Sequence, residues 1–294
     1  MNSRKEPAGA EESLEVALVG GGTTGVTRVG DTVRRPAGSW TPAVHKLLAH
    51  LASAGFTGAP LAHGLDELGR EILDFVPGEV GHYPIPESLR GEKALVSAGA
   101  LLRNYHDATV GLVADGAHDL ADLQLEPQPP IEVVCHGDFA PYNVVFRDGA
   151  AVAIIDFDFA RLGPRAWDLA YALYRFAPLS SSLDPSDPLS SVEVQAVRAR
   201  VFLDAYGCTP NQRSSTIATL VSRLEALIAL MRTRAGAGDE NFARHIADGH
   251  LALYLRDIDY IRSNEQHWRV VVDEPPSRSA EEDGKLWSLG ESNP

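Results

Sequence analysis

The sequence is poor in cysteine, with only Cys135 and Cys208 among 294 residues. Two cysteines so far apart form neither a disulfide framework nor the paired spacing of a structural zinc site. The sequence therefore indicates a protein of a reducing compartment, and we expect it in the cytoplasm.

Positive charge is also scarce, because 26 Lys and Arg residues against 40 Asp and Glu residues leave a net charge of −14 at pH 7. Proteins that bind nucleic acid need a basic footprint, so we expect no nucleic-acid partner. An acidic surface suits a cationic small molecule, and it suits plain solubility equally well. The N-terminal residues lack an apolar signal segment and no later apolar run is long enough to span a bilayer, so we expect no membrane partner.

Two common nucleotide-binding motifs are incomplete. Gly20–Gly25 (GGGTTG) follows a predicted strand, but no helical pattern follows it and no acidic residue lies between Asp31 and Asp66. A Rossmann dinucleotide site requires both features, so an oxidoreductase of that type is the weakest interpretation. A G-K-[ST] sequence is also missing after the glycines, which excludes a Walker A loop.

The glycine run instead lies between two predicted strands. A glycine-rich turn lets backbone N–H groups approach a phosphate closely. We therefore take Gly22, Thr23 and Thr24 as candidate phosphate-binding residues.

The sequence does contain a dense group of polar residues between short apolar segments. Runs rich in Val and Ile predict three strands, which are Ile131–Cys135, Tyr142–Phe146 and Ala151–Asp156. An Asp-Gly pair between the second and third strands predicts a hairpin. Asp138 lies in a predicted loop, Asn143 follows it, and Asp156 ends an apolar strand. An Asp in a loop, an Asn and an Asp at a strand end can together hold a proton acceptor and Mg²⁺.

His136–Asn143 (HGDFAPYN) and Ile155–Asp158 (IDFD) together resemble the catalytic signature of the aminoglycoside phosphotransferase and choline kinase-like family. The resemblance implies a kinase that uses ATP (or GTP) and Mg²⁺ to phosphorylate a hydroxyl of a small acceptor, which can be cationic. It implies that Asp138 accepts or orients the hydroxyl proton. Mg²⁺ would be held by Asn143 and Asp156, with His136 and Asp158 in support.

The same resemblance implies an α+β, two-lobed protein-kinase-like fold. A small β-rich lobe, residues 14–76, would cover the nucleotide, and a larger, mainly helical lobe, residues 77–272, would carry the catalytic and acceptor-binding groups. The polar tails, residues 1–13 and 273–294, are expected to be disordered.

Other site residues follow from the resemblance alone. The predicted strand Thr32–Arg35 has no lysine for the nucleotide phosphates, so Arg34 and Arg35 are the candidates. We choose Arg34, which takes the family's position two residues before Pro36. Phe75 and Val76 would form the hinge beside the nucleotide base. Asp168, in the first turn of the predicted helix Arg165–Phe176, would brace the catalytic loop, although a carboxylate there also suits the helix dipole.

One departure from the family leaves an alternative open. The helix predicted at Thr41–Ser53, with Thr41 as its N-cap, has no acidic residue to pair with the strand cation, and Val44 and His45 occupy the aligned region. A nucleotide-binding pseudokinase or sensor without phosphotransfer activity is therefore the main alternative.

Acidic residues towards the C-terminus leave a second question open, which is whether they bind the acceptor. Four carboxylates could line a pocket for a cationic acceptor, although each one suits a solvated helix face better. They lie on three predicted helices, 192–206, 211–235 and 241–263, and are Asp204, Glu225, Asp257 and Asp259. The sequence identifies neither the acceptor, nor the choice between ATP and GTP, nor the oligomeric state.

Overall fold

The computed structural model describes residues 15–18, 25–117 and 120–273. Within these ranges a β-sheet region is followed by a mainly helical region, which confirms the predicted α+β division. Residue 273, which the sequence assigned to the disordered C-terminal tail, is the last residue of a helix. The rest of the two tails, residues 1–13 and 274–294, lies outside the described residues.

The N-terminal region is an antiparallel sheet with the strand order β1-β2-β3-β5-β4 in the described part of the chain. Its strands are β1 (Glu15–Ala17), β2 (Thr27–Val29), β3 (Thr32–Pro36), β4 (Ala62–Leu65) and β5 (Arg70–Asp74). Gly30 and Asp31 form the predicted turn between β2 and β3. A Rossmann domain needs a parallel sheet, so the oxidoreductase interpretation is wrong.

Helix α1 (Thr41–Ser53) has the predicted bounds and buries an apolar stripe that includes Leu47, Leu48 and Leu51. The prediction that Thr41 caps this helix is wrong. Trp40 occupies the N-cap position, while Thr41 Oγ1 accepts a hydrogen bond from the Gly38 backbone N–H at 3.0 Å. The helix is thus stabilised by its buried face.

The second region combines two small sheets with helices. Strands β6 (Glu79–Val80), β8 (Val144–Arg147) and β9 (Ala150–Ile154) form one sheet, and β7 (Val133–Cys135) pairs with β10 (Arg161–Gly163). Asp148 and Gly149 both have positive φ, as the predicted Asp-Gly hairpin requires. The helices are α2 (Glu92–Ala114), α3 (Arg165–Phe176), α4 (Val192–Tyr206), α5 (Pro210–Gly236), α6 (Glu240–Ala247) and α7 (His250–Asp273).

The C-terminal helices differ from prediction at one position. Residues 241–263 do not form one helix, because Gly249, with φ of +90°, separates α6 from α7. Glycine tolerates that backbone conformation, so it can end one helix and start the next. Helix α7 then continues to Asp273.

Helix α5 is long and apolar enough, by length and composition alone, to cross a membrane, contrary to the sequence expectation. Its buried residues form a stripe, while arginines interrupt the rest of the surface; the stripe includes Ile217, Leu220, Leu224, Ile228 and Met231. The helix packs between α3 and α7. This amphipathic pattern is typical of a core helix in a globular domain.

Candidate active site

The loop after β7 approaches the chain around Phe159 so closely that only glycine fits at position 137. Gly137 has φ of +81°, and a Cβ there would lie 2.0 Å from the Phe159 carbonyl oxygen. The glycine of the HGD sequence therefore brings two loops into backbone contact.

Asp168 braces this loop. Its carboxylate accepts the backbone N–H groups of His136 at 2.6 Å and Gly137 at 2.8 Å, and His106 Nε2 lies 3.1 Å away. Burial opposes the charged form of Asp168, but the hydrogen bonds from His106 and the Gly137 backbone N–H, with the nearby His136, outweigh it and lower the pKa of Asp168. Burial also lowers the pKa of His106 and so disfavours its charged form. The side chain lies where the bracing prediction requires, and it binds the loop directly.

His136 connects the two polar loops. Its Nε2 lies 3.0 Å from the Ile155 carbonyl oxygen, and its Nδ1 accepts the Asp138 backbone N–H at 3.3 Å. The ring is buried, with Phe157 packed edge-on against it. His136 is therefore a brace between the loop of Asp138 and the strand end at Asp156.

Asp138 is held by two side-chain donors. Tyr142 donates its hydroxyl to Oδ1 at 2.8 Å, and Asn143 Nδ2 donates to Oδ2 at 2.9 Å. Burial raises the pKa of Asp138, while the Tyr142 hydrogen bond and the charge of Arg175 oppose that rise. The result is an oriented carboxylate that takes a proton more readily than an exposed aspartate.

Asn143 and Asp156 lie at the ends of paired strands. The Ile155 N–H donates to the Asn143 carbonyl at 2.9 Å, which places Asp156 one residue beyond that contact. Asp156 has φ of +64°, a conformation that few non-glycine residues adopt. Its Oδ1 pairs with Arg35, and its Oδ2 accepts no hydrogen bond from the described residues.

These donors fit Mg²⁺. The described residues contain no cluster of three or more His, Cys, Asp or Glu side chains that could bind a metal. Asn143 Oδ1 and Asp156 Oδ2 are nevertheless oxygen atoms without a protein partner in the described chain. Mg²⁺ commonly takes one or two protein oxygens and completes its shell with phosphates and water.

Arg35, and not Arg34, is the cation that reaches this centre. Arg35 pairs with Glu71, with Asp156 Oδ1 at 2.9 Å, and with Asp158. Arg34 points to the opposite face of β3, where it bonds to Thr32 and lies 3.8 Å from Asp66. Successive side chains of a strand point to alternate faces. The distance from Pro36 therefore selected an arginine on the face opposite to that of Asp156.

The pKa values around Arg35 follow from burial and close charges. Burial opposes the charge of Arg35, but Asp156, Asp158 and Glu71 outweigh it and raise the pKa of Arg35. Burial raises the pKa of Asp158, and Arg35 partly offsets that effect. The cluster holds one positive charge against three carboxyl groups, which favours a further cation.

The acidic partner absent from α1 is supplied by β5. Glu71 is fully buried, stands directly opposite Arg35 in the β3–β5 ladder and lies 2.9 Å, through Oε1, from His45 Nε2. Helix α1 thus contributes a histidine to the carboxylate. Sequence reasoning missed Glu71, although a charged residue within the strand sequence REILD was a usable signal.

The proposed nucleotide-contacting residues are only partly described. Phe75 and Val76 lie directly after β5, in the connection to β6. The Phe75 N–H donates to the Asp31 carbonyl at 2.8 Å, and the Arg28 guanidinium lies 3.8 Å from its ring centre. Gly22, Thr23 and Thr24 lie outside the described residues.

The carboxylates considered for a cationic acceptor pocket are engaged elsewhere. Asp257 is fully buried and accepts from Tyr174 and Ser181. The other three pair with arginines; the pairs are Asp204 with Arg213, and Glu225 and Asp259 with Arg262. None of the four contacts Asp138 in the described structure.

The chain is similar in sequence to known proteins. The model of the phosphotransferase enzyme family (APH) matches residues 117–187. The trifolitoxin immunity protein of Rhizobium leguminosarum bv. trifolii is 36% identical over 221 residues, which cover 71% of this chain and 80% of that protein.

Solved structures show the same fold. The GDP complex of an aminoglycoside phosphotransferase variant superposes with a TM-score of 0.57 at 12% identity, covering 88% of this chain and 94% of that one. A choline/ethanolamine kinase family protein from Mesorhizobium loti gives a TM-score of 0.52 at 18% identity, covering 86% and 94%. The chain therefore belongs to the phosphotransferase enzyme family and has a two-lobed protein-kinase-like fold.

Proposed function

We propose that this protein is a small-molecule kinase that transfers the γ-phosphoryl group of ATP (or GTP), with Mg²⁺, to a hydroxyl of a small acceptor. The observation that carries the proposal is Asp138, which is oriented by Tyr142 and Asn143 beside the strand end that holds Asp156. Phosphoryl transfer needs mainly positioning and charge neutralisation, and this arrangement supports both.

In this proposal Asp138 Oδ accepts the proton of the acceptor hydroxyl as the hydroxyl oxygen attacks the γ-phosphorus. The bond from that phosphorus to the β–γ bridging oxygen breaks, and the nucleoside diphosphate leaves. Its raised pKa favours that transfer. Asn143 and Asp156 would hold Mg²⁺, which when bound neutralises charge on the nucleotide phosphates. Arg35 orients Asp156 through the contact at 2.9 Å.

Nucleotide binding is assigned to the small lobe, residues 14–76, and the acceptor to the lobe of residues 77–272. Gly22, Thr23 and Thr24 would cover the phosphates, and Phe75 and Val76 would lie beside the base. The position of the latter pair between β5 and β6 supports that role. Both cysteines are buried free thiols, which supports a cytoplasmic location.

The decisive experiment is Asp138→Ala, measured by nucleotide consumption over a panel of hydroxylated acceptors. We expect turnover to fall by at least ~10²-fold, because a positioned base typically contributes that much. Asp122→Ala, at an exposed position, is the matched control. Unchanged turnover in Asp138→Ala would refute the assigned role, and Mg·ATP binding without any consumption would favour the pseudokinase.

A protective role is a second proposal, supported by the similarity to an immunity protein. In that role the acceptor is a toxic compound whose phosphorylation inactivates it. Wild-type protein should protect a trifolitoxin-sensitive strain, and Asp138→Ala should not. Equal protection by both would indicate that protection does not use phosphotransfer.

A further inference from the structure

Arg175, on α3, lies in a cage of tyrosine rings. Its Nε and Nη2 donate to the Tyr171 hydroxyl at 3.0 and 2.8 Å, and Nη2 also donates to the Tyr254 hydroxyl at 3.0 Å. Five ring centres lie 4.9–5.9 Å from the guanidinium carbon, and we call this set the tyrosine cage; its members are Tyr83, Tyr142, Tyr171, Tyr174 and Tyr254.

Arg175 has no carboxylate within ion-pair distance in the described residues, although its charge acts on Asp138 across the Tyr171 and Tyr142 hydroxyls. In the described ranges no Asp or Glu forms an ion pair with it. Ring faces and hydroxyl oxygens stabilise a guanidinium only in part, and they do not neutralise it. Arg175 is half-buried, and a cation in such a position is normally paired, so this one is available to an anion from outside the chain.

The cage adjoins the candidate base. The Tyr171 hydroxyl lies 3.1 Å from the Tyr142 hydroxyl, which donates to Asp138 at 2.8 Å. Two hydroxyl groups therefore separate the guanidinium from the carboxylate. An anion bound at Arg175 would hold the rest of its molecule beside Asp138.

The cage is open to solvent on one side. Tyr83 is 54% exposed at its rim, and Arg175 itself is only partly buried. A small molecule can therefore reach the guanidinium. The positive charge there also disfavours a polycationic acceptor. Of the four carboxylates considered for such an acceptor, only Asp257 contacts the cage in the described residues, and it is fully buried behind Tyr174, which donates to it at 2.7 Å.

We propose that Arg175 binds an oxyanion of the acceptor, a carboxylate or a phosphate, so that the substrate is a small hydroxylated anion. The inference rests on the proposed function, because it takes Asp138 as the base of the same site. A guanidinium attracts carboxylate and phosphate and donates charge-assisted hydrogen bonds to them, and each of these groups can be carried by a small alcohol.

The test compares binding of charged and neutral probes by calorimetry. One pair is 4-hydroxybutyrate and 4-hydroxybutyramide, and the other is glycerol 3-phosphate and glycerol. We expect wild-type protein to bind at least one anion about tenfold or more tightly than its neutral partner, as a charge-assisted hydrogen bond provides. The pair that shows the preference distinguishes carboxylate from phosphate.

Variants then assign the preference to Arg175. Arg175→Gln should abolish it, Arg175→Lys should keep part of it, and Arg262→Gln, on the exposed side of α7, should leave it unchanged. Equal binding of both anions and their neutral partners to the wild type would overturn the inference, and that comparison does not depend on any variant folding. A preference that survives in Arg175→Gln would overturn it as well.

Failure of this inference differs from failure of the kinase proposal. Asp138-dependent turnover of neutral acceptors, with no anion preference, would retain the kinase and reject the oxyanion site. An Arg175-dependent anion preference without any nucleotide consumption would retain the oxyanion site and reject the kinase.

Discussion

Arg35 and Arg175 have opposite surroundings. The side chain of Arg35 is 8% exposed and meets three carboxylates, whereas Arg175 meets tyrosine rings and hydroxyls. In the site proposed for the nucleotide, the cluster around Arg35 supplies more negative than positive charge, which suits a divalent cation. In the site proposed for the acceptor, no carboxylate of the described residues lies within ion-pair distance of Arg175. The difference supports ligands of opposite charge at the two proposed sites.

The largest expected effect on stability comes from Arg35→Met. This change leaves Glu71 buried without its cation, so we expect the free energy of unfolding to fall by about 3–5 kcal/mol in urea titrations. Arg34→Met is the matched control on the same strand and should cost about 1 kcal/mol or less.

Arg175→Met should cost less than Arg35→Met, about 1–2 kcal/mol, because its removal leaves neutral hydroxyls and no buried carboxylate. Equal losses of unfolding free energy in Arg35→Met and Arg175→Met would contradict the difference between the surroundings of the two arginines.

The double variant Arg35→Met/Glu71→Met sharpens the same contrast. The double variant leaves neither a buried carboxylate nor a buried cation without its partner. The combined loss of unfolding free energy should therefore be smaller than the sum of the two single losses by about 0.5–3 kcal/mol. A double-mutant cycle from urea titrations measures this coupling. Strict additivity would show that the pair contributes no interaction of its own.

The smallest expected effect is a shift in the pH dependence of activity in Tyr142→Phe. Tyr142 lies between the tyrosine cage and Asp138. The proposed base is ionised Asp138, so turnover should rise with pH through the pKa of that residue. The Tyr142 hydroxyl lowers this pKa, and its removal should move the acid limb of kcat/KM to higher pH. The control is Tyr260→Phe, because the Tyr260 hydroxyl donates to Gln195. We expect this variant to leave the acid limb of kcat/KM at the same pH. A shift in the opposite direction would contradict the assigned hydrogen bond.

The predictable parts of the site were those encoded by neighbouring residues. His136, Gly137, Asp138 and Asn143 lie within one short loop, and the Asp-Gly hairpin brings Asp156 back towards it. Local spacing and turn chemistry were sufficient to place them together. The choice of Arg34 failed because it depended on which face of β3 points inward, and sequence distance from a proline does not reveal that face.

The sequence by itself determined the family, the two-part fold and the polar loop, because short-range patterns and a contiguous signature carry that information. Only the tertiary structure decided that Glu71 replaces the missing helical acid, since the Arg35–Glu71 pair depends on strand pairing across 36 residues. It also decided that Arg175 stands among tyrosines from distant segments. Charge pairing depends on distances in space, and chain folding sets those distances.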